Sequence, residues 1–157
     1  MANTYSQIYI HIVFSVKGRE NLIRASFRDE LQMYIAGIIK NLNQKLYAIY
    51  IMPDHAHLLI SINPSKSISD LVRDIKANSS KFINEKGWIK GKFAWQDGYG
   101  AFSYSKSQAT NVVNYIINQP NHHKSLSFKE EYIDLLKKIE IQFDEKYLFE
   151  WYDLNNW

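Results

Sequence analysis

Only two residues, Pro53 and Asp54, separate two runs of residues that favour β-strands. The runs cover residues 46–52 and 55–62 and are rich in apolar, β-branched and aromatic side chains. Parallel strands need a crossover of a dozen or more residues, so a connection this short predicts an antiparallel hairpin. Pro53 has no N–H to donate to a ladder and therefore helps to end the first strand.

The elements on either side of this hairpin follow from hydrophobic periodicity. Residues 8–16 predict a strand, and apolar residues spaced by three and four predict a helix from Phe27 to Leu42, with Ser26 as its N-cap. Downstream, the pattern predicts a second helix over 67–86, followed by a short strand and a loop between 87 and 100. Residues 101–104 either extend that strand or pair with it. A third helix is predicted over about 107–119, where Pro120 stops it, and a fourth near 128–139.

This order of elements, β-α-β-β-α-β-α, predicts an α+β protein with the split βαβ, ferredoxin-like layout. In that layout one antiparallel sheet carries helices on one face, and the C-terminal helices are added after it. A length of 157 residues suits about one domain. We therefore expect a single domain over residues 1–157, with a core of about 5–124 and a C-terminal helical extension of about 125–157.

Residue content excludes several classes of protein and site. The chain has no cysteine, which excludes disulfides, thiolate zinc sites and cysteine nucleophiles. It has no run of about 18 apolar residues, so we expect no membrane-spanning helix. The first residues lack the basic and apolar regions of a secretory signal, and we expect a cytoplasmic protein.

Charge is distributed unevenly along the chain. From Lys66 to Lys92, seven basic residues stand against three acidic ones, a net charge of +4. From Lys129 to the end, four lysines stand against eight acidic residues, a net charge of −4. The basic stretch is a candidate surface for DNA phosphates, whereas the acidic tail is not expected to touch them. Both stretches could equally be ordinary solvated faces.

The triplet His55-Ala56-His57 lies at the start of the second hairpin strand. Residues i and i+2 of a strand point to the same face, so both imidazoles can converge on one divalent metal. The alternative to a metal site is that the two histidines lie on a half-exposed strand and bind no ligand.

The predicted third helix carries a tyrosine away from its apolar stripe. Tyr115 projects roughly 130° from the middle of that stripe, and Gln119 follows one turn later on the same side. The amide oxygen of Gln119 could complete a three-ligand metal site with His55 and His57. Alternatively, Tyr115 only covers the core with a solvated hydroxyl, as tyrosines at helix flanks usually do.

Taken together, these motifs resemble the IS200/IS605-type transposases, which are single-domain tyrosine HUH nucleases that include the REP-associated tyrosine transposases. The resemblance spans roughly residues 5–124. It rests on the first strand, on Met52-Pro-Asp-His-Ala-His-Leu-Leu-Ile60, on Trp95-Gln-Asp-Gly-Tyr-Gly-Ala-Phe-Ser103 and on residues 115–119.

The resemblance implies a role for each matching residue. It makes Tyr115 the nucleophile and His55, His57 and Gln119 the ligands of Mg²⁺ or Mn²⁺. It implies cleavage and rejoining of single-stranded DNA through a 5′-phosphotyrosine, recognition of stem-loops, and a homodimer whose sites are completed in trans. Two alternatives remain: a catalytically silent protein that binds DNA or RNA hairpins, and a metal hydrolase that uses water instead of Tyr115.

Other residues carry weaker expectations. Six are candidate contacts to single-stranded DNA, five through positive charge and one through base stacking: Arg73, Lys76, Lys81, Lys90, Lys92 and Trp95. His11 is either a partner beneath the metal or a satisfied core histidine, and Asp54 is expected to form the turn. His122 and His123 are expected in a loop. We expect the tail beyond Lys124 to dock against a partner subunit.

Overall fold

The computed structural model describes residues 3–154, which form a four-stranded antiparallel sheet in the strand order β2-β3-β1-β4. The strands and helices, in chain order, are β1 (Tyr9–Ser15), α1 (Ala25–Asn41), β2 (Lys45–Ile51), β3 (His55–Ser61), α2 (Ile68–Lys86), β4 (Gly100–Tyr104), α3 (Lys106–Ile117), α4 (Gln119–His122) and α5 (Phe128–Lys138). Two single-turn 3₁₀ helices cover Arg19–Asn21 and Glu145–Tyr147.

The connectivity confirms the expected ferredoxin-like α+β fold. β1 lies in the centre and pairs antiparallel with both β3 and β4. β2 and β3 form the hairpin that the Pro53-Asp54 connection predicts, and the N–H of Met52 donates to the carbonyl of His55 to close it.

The two faces of the sheet are covered by different helices. Alternate residues of the central strands, such as Ile12, Phe14 and Leu58, are fully buried against α1 and α2. Burial of such side chains contributes roughly 1.5–3 kcal/mol each. On the opposite face, residues such as Val13 and Leu59 lie beneath α3 and α5. The core helices therefore share one face, as expected, and the C-terminal helices cover the face that carries the histidines.

Helix α1 begins earlier than its apolar spacing indicates. Its N-cap is Arg24, so the expectation that Ser26 caps it is wrong, and Ser26 lies inside the first turn. The reason is the buried residue just before the helix. The N–H of Ile23 donates to the carbonyl of Pro53 at 2.8 Å and fixes the chain there. For α2, Ser67 is the N-cap, and its side chain accepts a bond from the N–H of Asp70.

The expected short strand between Gly87 and Gly100 does not form. In this segment Trp95 makes only an isolated bridge with Val16, and the fourth strand is β4 itself. The indole ring of Trp95 is 6% exposed, packs edge-on against Phe14, and donates its N–H to Ser79. The expectation that Trp95 stacks on bases therefore does not fit its place in the core.

Pro120 does not simply stop the third helix. Helix α3 ends at Ile117, and Pro120 lies in the first turn of the short helix α4, where its missing N–H has no intrahelical partner to lose. Helix α5 agrees with the expected bounds to within a residue and begins with a capping box between Ser127 and Glu130. This box fixes the first turn of the helix that covers the histidines.

The C-terminal tail packs on its own chain, and its docking against a partner subunit stays a prediction. Phe149 and Trp151 contact the aromatic side of α5. Gln96 accepts a bond from the N–H of Glu150 at 2.6 Å and donates to its carbonyl at 2.9 Å. The Tyr152 hydroxyl accepts a bond from the N–H of Gly18. Among residues 3–154, no helix has both the length and the apolar content to cross a bilayer.

Candidate active site

The two histidines of β3 face the same buried pocket. The side chains of His55 and His57 are each 1% exposed, and their ring centroids lie 5.0 Å apart. Between them, Ala56 points into the core on the opposite face. Asp54 accepts a hydrogen bond from Nδ1 of His55 at 2.7 Å. Asp54 therefore does more than form the turn, because it directs Nε2 of His55 into the pocket.

A third histidine supports His57 from behind. Nε2 of His11 lies 2.8 Å from Nδ1 of His57, and the two rings stack with centroids 5.0 Å apart. This is the first of the two positions expected for His11, a partner beneath the pair. The contact occupies Nδ1 of His57, so Nε2 of His57 faces the pocket.

Helices α3 and α4 bring the predicted tyrosine and glutamine to this pocket. Val112 and Ile116 anchor α3 against the sheet. Gln119 is fully buried, and its Oε1 lies 3.1 Å from Nε2 of His55. The ring of Tyr115 meets the ring of His57 edge-on at 5.8 Å. The four residues that the sequence singles out thus converge within one chain.

Glu131 of α5 lies at the centre of this cluster, and sequence reasoning missed it. Its side chain is 3% exposed. Oε1 accepts hydrogen bonds from Nε2 of His57 at 3.1 Å and from Nε2 of His123 at 3.2 Å. Oε2 accepts one from the amide of Gln119 at 2.7 Å and a short one from the hydroxyl of Tyr115. The expectation of a loop is wrong for His122, which is the last residue of α4. It is confirmed for His123, which lies in the turn after α4 and directs its ring to Glu131.

One sequence signal could have revealed Glu131. Helix α5 has an apolar stripe, formed by Phe128, Tyr132, Leu135 and Leu136, and Glu131 lies inside that stripe. A carboxylate on the buried face of a helix is rarely stable without a partner. Here its neighbour Phe128 stacks on the ring of His55, with centroids 3.8 Å apart. The acidic tail thus contributes to the site that the sequence assigned only to the core.

Burial and Glu131 together set the protonation of the pocket. Burial alone lowers the pKa of His55, but Asp54 and Glu131 outweigh it and raise this pKa to about 9. Burial dominates at His57 and lowers its pKa. Burial and the charge of Glu131 both raise the pKa of Tyr115, so its hydroxyl is protonated at neutral pH.

Glu131 itself is held as an anion. Burial would raise the pKa of its carboxyl, but hydrogen bonds from His123, His55 and His57 overcome burial and lower the pKa well below its usual range. A buried carboxylate with this many donors is well satisfied.

The residues present suit a divalent metal ion. His55, His57 and Glu131 offer ligand atoms that all lie within 4.8 Å of one another, and the oxygen of Gln119 is close by. Two imidazole nitrogens with one or two oxygens form a donor set that Mn²⁺ and related ions accept. Asp54 and His11 hold the rings in place from outside, as the outer partners of metal ligands do.

The expected DNA-contacting residues lie elsewhere. Arg73, Lys76 and Lys81 belong to α2, on the face of the sheet opposite the histidines. Lys76 donates to the carbonyl of Gln96 at 2.8 Å, and burial lowers its pKa to about 8.

The other basic residues are more accessible to a phosphate than Lys76. Arg73 pairs with Asp70 at 3.1 Å in an exposed contact, and Lys81 approaches Glu85 at 4.0 Å. Lys90 and Lys92 are exposed in the segment after α2. The structure does not gather these cations around Tyr115.

Comparison with known proteins identifies transposases that are similar to this chain. A family model described as "Transposase IS200 like" matches residues 4–119. The ISDra2 transposase TnpA of Deinococcus radiodurans is 27% identical over 120 residues, which cover 72% of this chain and 84% of the relative. The transposase for insertion sequence element IS200 of Salmonella typhimurium is 29% identical over 133 residues, or 79% of this chain and 84% of the relative.

Two solved structures share the fold. A crystal structure described as a transposase of Deinococcus radiodurans R1 superposes with a TM-score of 0.59 at 23% identity, covering 76% of this chain and 95% of that one. A REP-associated tyrosine transposase bound to a REP hairpin superposes with a TM-score of 0.58 at 17% identity, covering 78% of this chain and 73% of that one.

Proposed function

Since this chain belongs to the IS200-like transposase family, we propose that it cleaves and rejoins single-stranded DNA at hairpins through a covalent bond to Tyr115. One observation carries the proposal. The hydroxyl of Tyr115 lies in the same hydrogen-bonded cluster as the His55 and His57 pair, bridged by Glu131 and Gln119. A tyrosine that only covered the core would turn its hydroxyl to solvent.

The proposed reaction exchanges one ester bond for another. The phenolic oxygen of Tyr115 bonds to phosphorus, and the bond from phosphorus to the 3′-oxygen of the preceding nucleotide breaks. The phenolic proton leaves Tyr115, and a proton ends on the 3′-oxygen. The products are a 5′-phosphotyrosine and a free 3′-hydroxyl, so the reverse attack by another 3′-hydroxyl rejoins strands without an external energy source.

In this proposal His55 and His57 would hold Mg²⁺ or Mn²⁺, with Gln119 and Glu131 as the oxygen donors. The bound ion supplies positive charge that stabilises the phosphate in the transition state. The chain orients its own ligands, because Asp54 and His11 fix both imidazole rings. Phe128 covers the ring of His55 and keeps water away from that side of the pocket.

The DNA partner is proposed from the family and from charge. The REP-associated relative is bound to a hairpin, and a stem-loop in single-stranded DNA is our candidate substrate for this chain. Arg73, Lys81, Lys90 and Lys92 carry charge that a phosphate backbone can reach, whereas Lys76 is partly committed to the loop carbonyl of Gln96. A DNA substrate also agrees with the expected cytoplasmic location.

The homodimer with sites completed in trans stays a proposal. Only Ser105 separates α3 from β4. An exchange of α3 between subunits therefore requires a change of backbone at Ser105 and after Ile117.

The direct test is a covalent adduct. Single-stranded oligonucleotides covering stem-loops from the DNA that flanks the gene are incubated with the protein and Mn²⁺, then resolved on a denaturing gel. We expect an adduct that Tyr115→Phe abolishes and Tyr104→Phe retains. Hairpin binding without an adduct would instead favour a silent hairpin-binding protein, and cleavage by Tyr115→Phe would favour a hydrolase that uses water.

A further inference from the structure

A groove of about 500 Å³ runs between α3 and α5 and reaches Tyr115 and Glu131. Its volume lies within the roughly 300–1,000 Å³ that small-ligand sites occupy. The groove is lined on one side by α3 and on the other by α5, with His11 of β1 behind them. His55 does not line this groove, and the ring of Phe128 covers the ring of His55.

Two buried ring nitrogens at this groove have no hydrogen-bond partner within the part of the chain that the structure describes. They are Nδ1 of His11, in a residue that is 1% exposed, and Nε2 of His122. Either tautomer leaves such a nitrogen with an unmet bond, as a donor or as an acceptor. Buried polar atoms are almost always satisfied, so these two indicate a polar occupant of the groove.

The remaining lining suits a nucleobase. Tyr104 and Tyr115 offer aromatic surface, and the ring of His122 lies 4.8 Å from that of Tyr115. Base faces stack on such rings. Two amides, Gln108 and Asn111, lie exposed along the same groove, and the oxygen of Gln108 is already bonded to Ser105 at the start of α3. Amide side chains read the hydrogen-bonding edges of bases.

The charged side chains that line the groove leave one carboxylate unbalanced. Lys138 is the lysine of the lining, and Asp134 lies one turn before it, so the two charges offset each other. The remaining carboxylate, Glu131, borders the proposed metal site. A phosphate at this end needs the divalent ion beside it to offset the charge of Glu131.

We propose that this groove holds the nucleotide whose 5′-phosphate Tyr115 receives. The inference rests on the proposed function and extends it, because attack by Tyr115 requires that nucleotide to lie directly beside the phenolic oxygen. Its base occupies the space between Asn111 and the rings of Tyr104 and His122. A hydrogen bond from the sugar or phosphate satisfies Nδ1 of His11.

The test measures binding and needs no strand cleavage. Protein labelled with ¹⁵N-histidine is titrated, in the presence of Mg²⁺, with each of the four deoxynucleoside 5′-monophosphates while the ring nitrogens are followed by NMR. We expect at least one of them to shift Nδ1 of His11 and Nε2 of His122 saturably. Loss of one hydrogen bond in Asn111→Ala should weaken that binding roughly fivefold. Asn114→Ala, an exposed amide of the same helix outside the groove, should leave it unchanged.

Three results would overturn the proposal. They are no saturable shift at either ring with any of the four nucleotides, equal affinity in Asn111→Ala and Asn114→Ala, and the same shifts with inorganic phosphate alone. Failure of the proposed function looks different, because nucleotide binding at the groove would persist while no adduct with Tyr115 formed. If the adduct with Tyr115 forms although the groove binds no nucleotide, this inference is wrong and the proposed function still holds.

Discussion

Tyr115 donates its hydroxyl hydrogen to the carboxylate of Glu131, sixteen residues later in the chain and on a different helix. The same carboxylate also accepts a hydrogen bond from His57. The C-terminal helix therefore joins the proposed nucleophile to the candidate metal ligands. A scissile phosphate is also an anion, so substrate binding has to share or replace the contacts that Glu131 makes.

We predict that Glu131 contributes to metal binding. Glu131→Gln and His57→Ala should each weaken Mn²⁺ binding by at least about tenfold, because each removes an atom of the donor set. Electron paramagnetic resonance of free Mn²⁺ measures the affinity directly. Glu130→Gln, which changes an exposed neighbour, serves as the control. Wild-type affinity in Glu131→Gln would mean that this carboxylate only occupies the place of an anionic substrate.

We predict that the Asp54–His55 pair stabilises the metal-free protein most at low pH. The pKa of His55 is raised from 6.5 to about 9, so this stability is fully present below pH 6.5 and is lost as the pH rises through 9. The shift corresponds to about 3 kcal/mol at most. Asp54→Asn should therefore lower the free energy of unfolding more at pH 6 than at pH 9.5.

Urea denaturation in the presence of a chelator provides this comparison, with Asp97→Asn as an exposed control. A loss in Asp54→Asn that is equal at both pH values would show that Asp54 supports the turn but not the charge of His55.

We predict that Gly100 is required for the docking of α5. A Cβ atom at this position would come within 2.5 Å of the Tyr132 hydroxyl and 2.8 Å of the Phe102 ring. Gly100→Ala should therefore destabilise the protein by about 1–3 kcal/mol. Chemical denaturation measures the change. Gly91→Ala, where a Cβ meets nothing within 4 Å, should cost far less, and equal losses would contradict the observed packing.

We predict that mixing two inactive variants distinguishes sites completed in trans from sites within one chain. Tyr115→Phe retains the histidines, and His57→Ala retains Tyr115, the proposed nucleophile. If subunits exchange α3, the mixed dimer has one intact composite site and adduct formation returns. Sites within one chain, with Tyr115 beside His57 of the same chain, would leave the mixture inactive and contradict the proposed exchange. Recovery of the adduct would show that α3 moves to a partner subunit.

The sequence predicts what local periodicity and spacing determine. Three features depend only on residues close together in the chain. They are the β2-β3 hairpin, the shared face of His55 and His57, and the four-residue spacing that places Tyr115 and Gln119 on the same side. Trp95 could not be placed in this way, because its burial depends on Phe14 of β1 and Ser79 of α2, which are distant in the chain. Glu131 meets His57 across a separation of 74 residues, and only its position within an apolar stripe indicated that it was buried.

Mapping the site of covalent attachment tests the central claim most directly. Wild-type protein is incubated with a stem-loop oligonucleotide and Mn²⁺, the DNA is trimmed with nuclease, and the protein is digested and analysed by mass spectrometry. We predict a single nucleotide-modified peptide with the phosphate on Tyr115. A modification on any other residue, or cleaved DNA with no modified peptide, would contradict it.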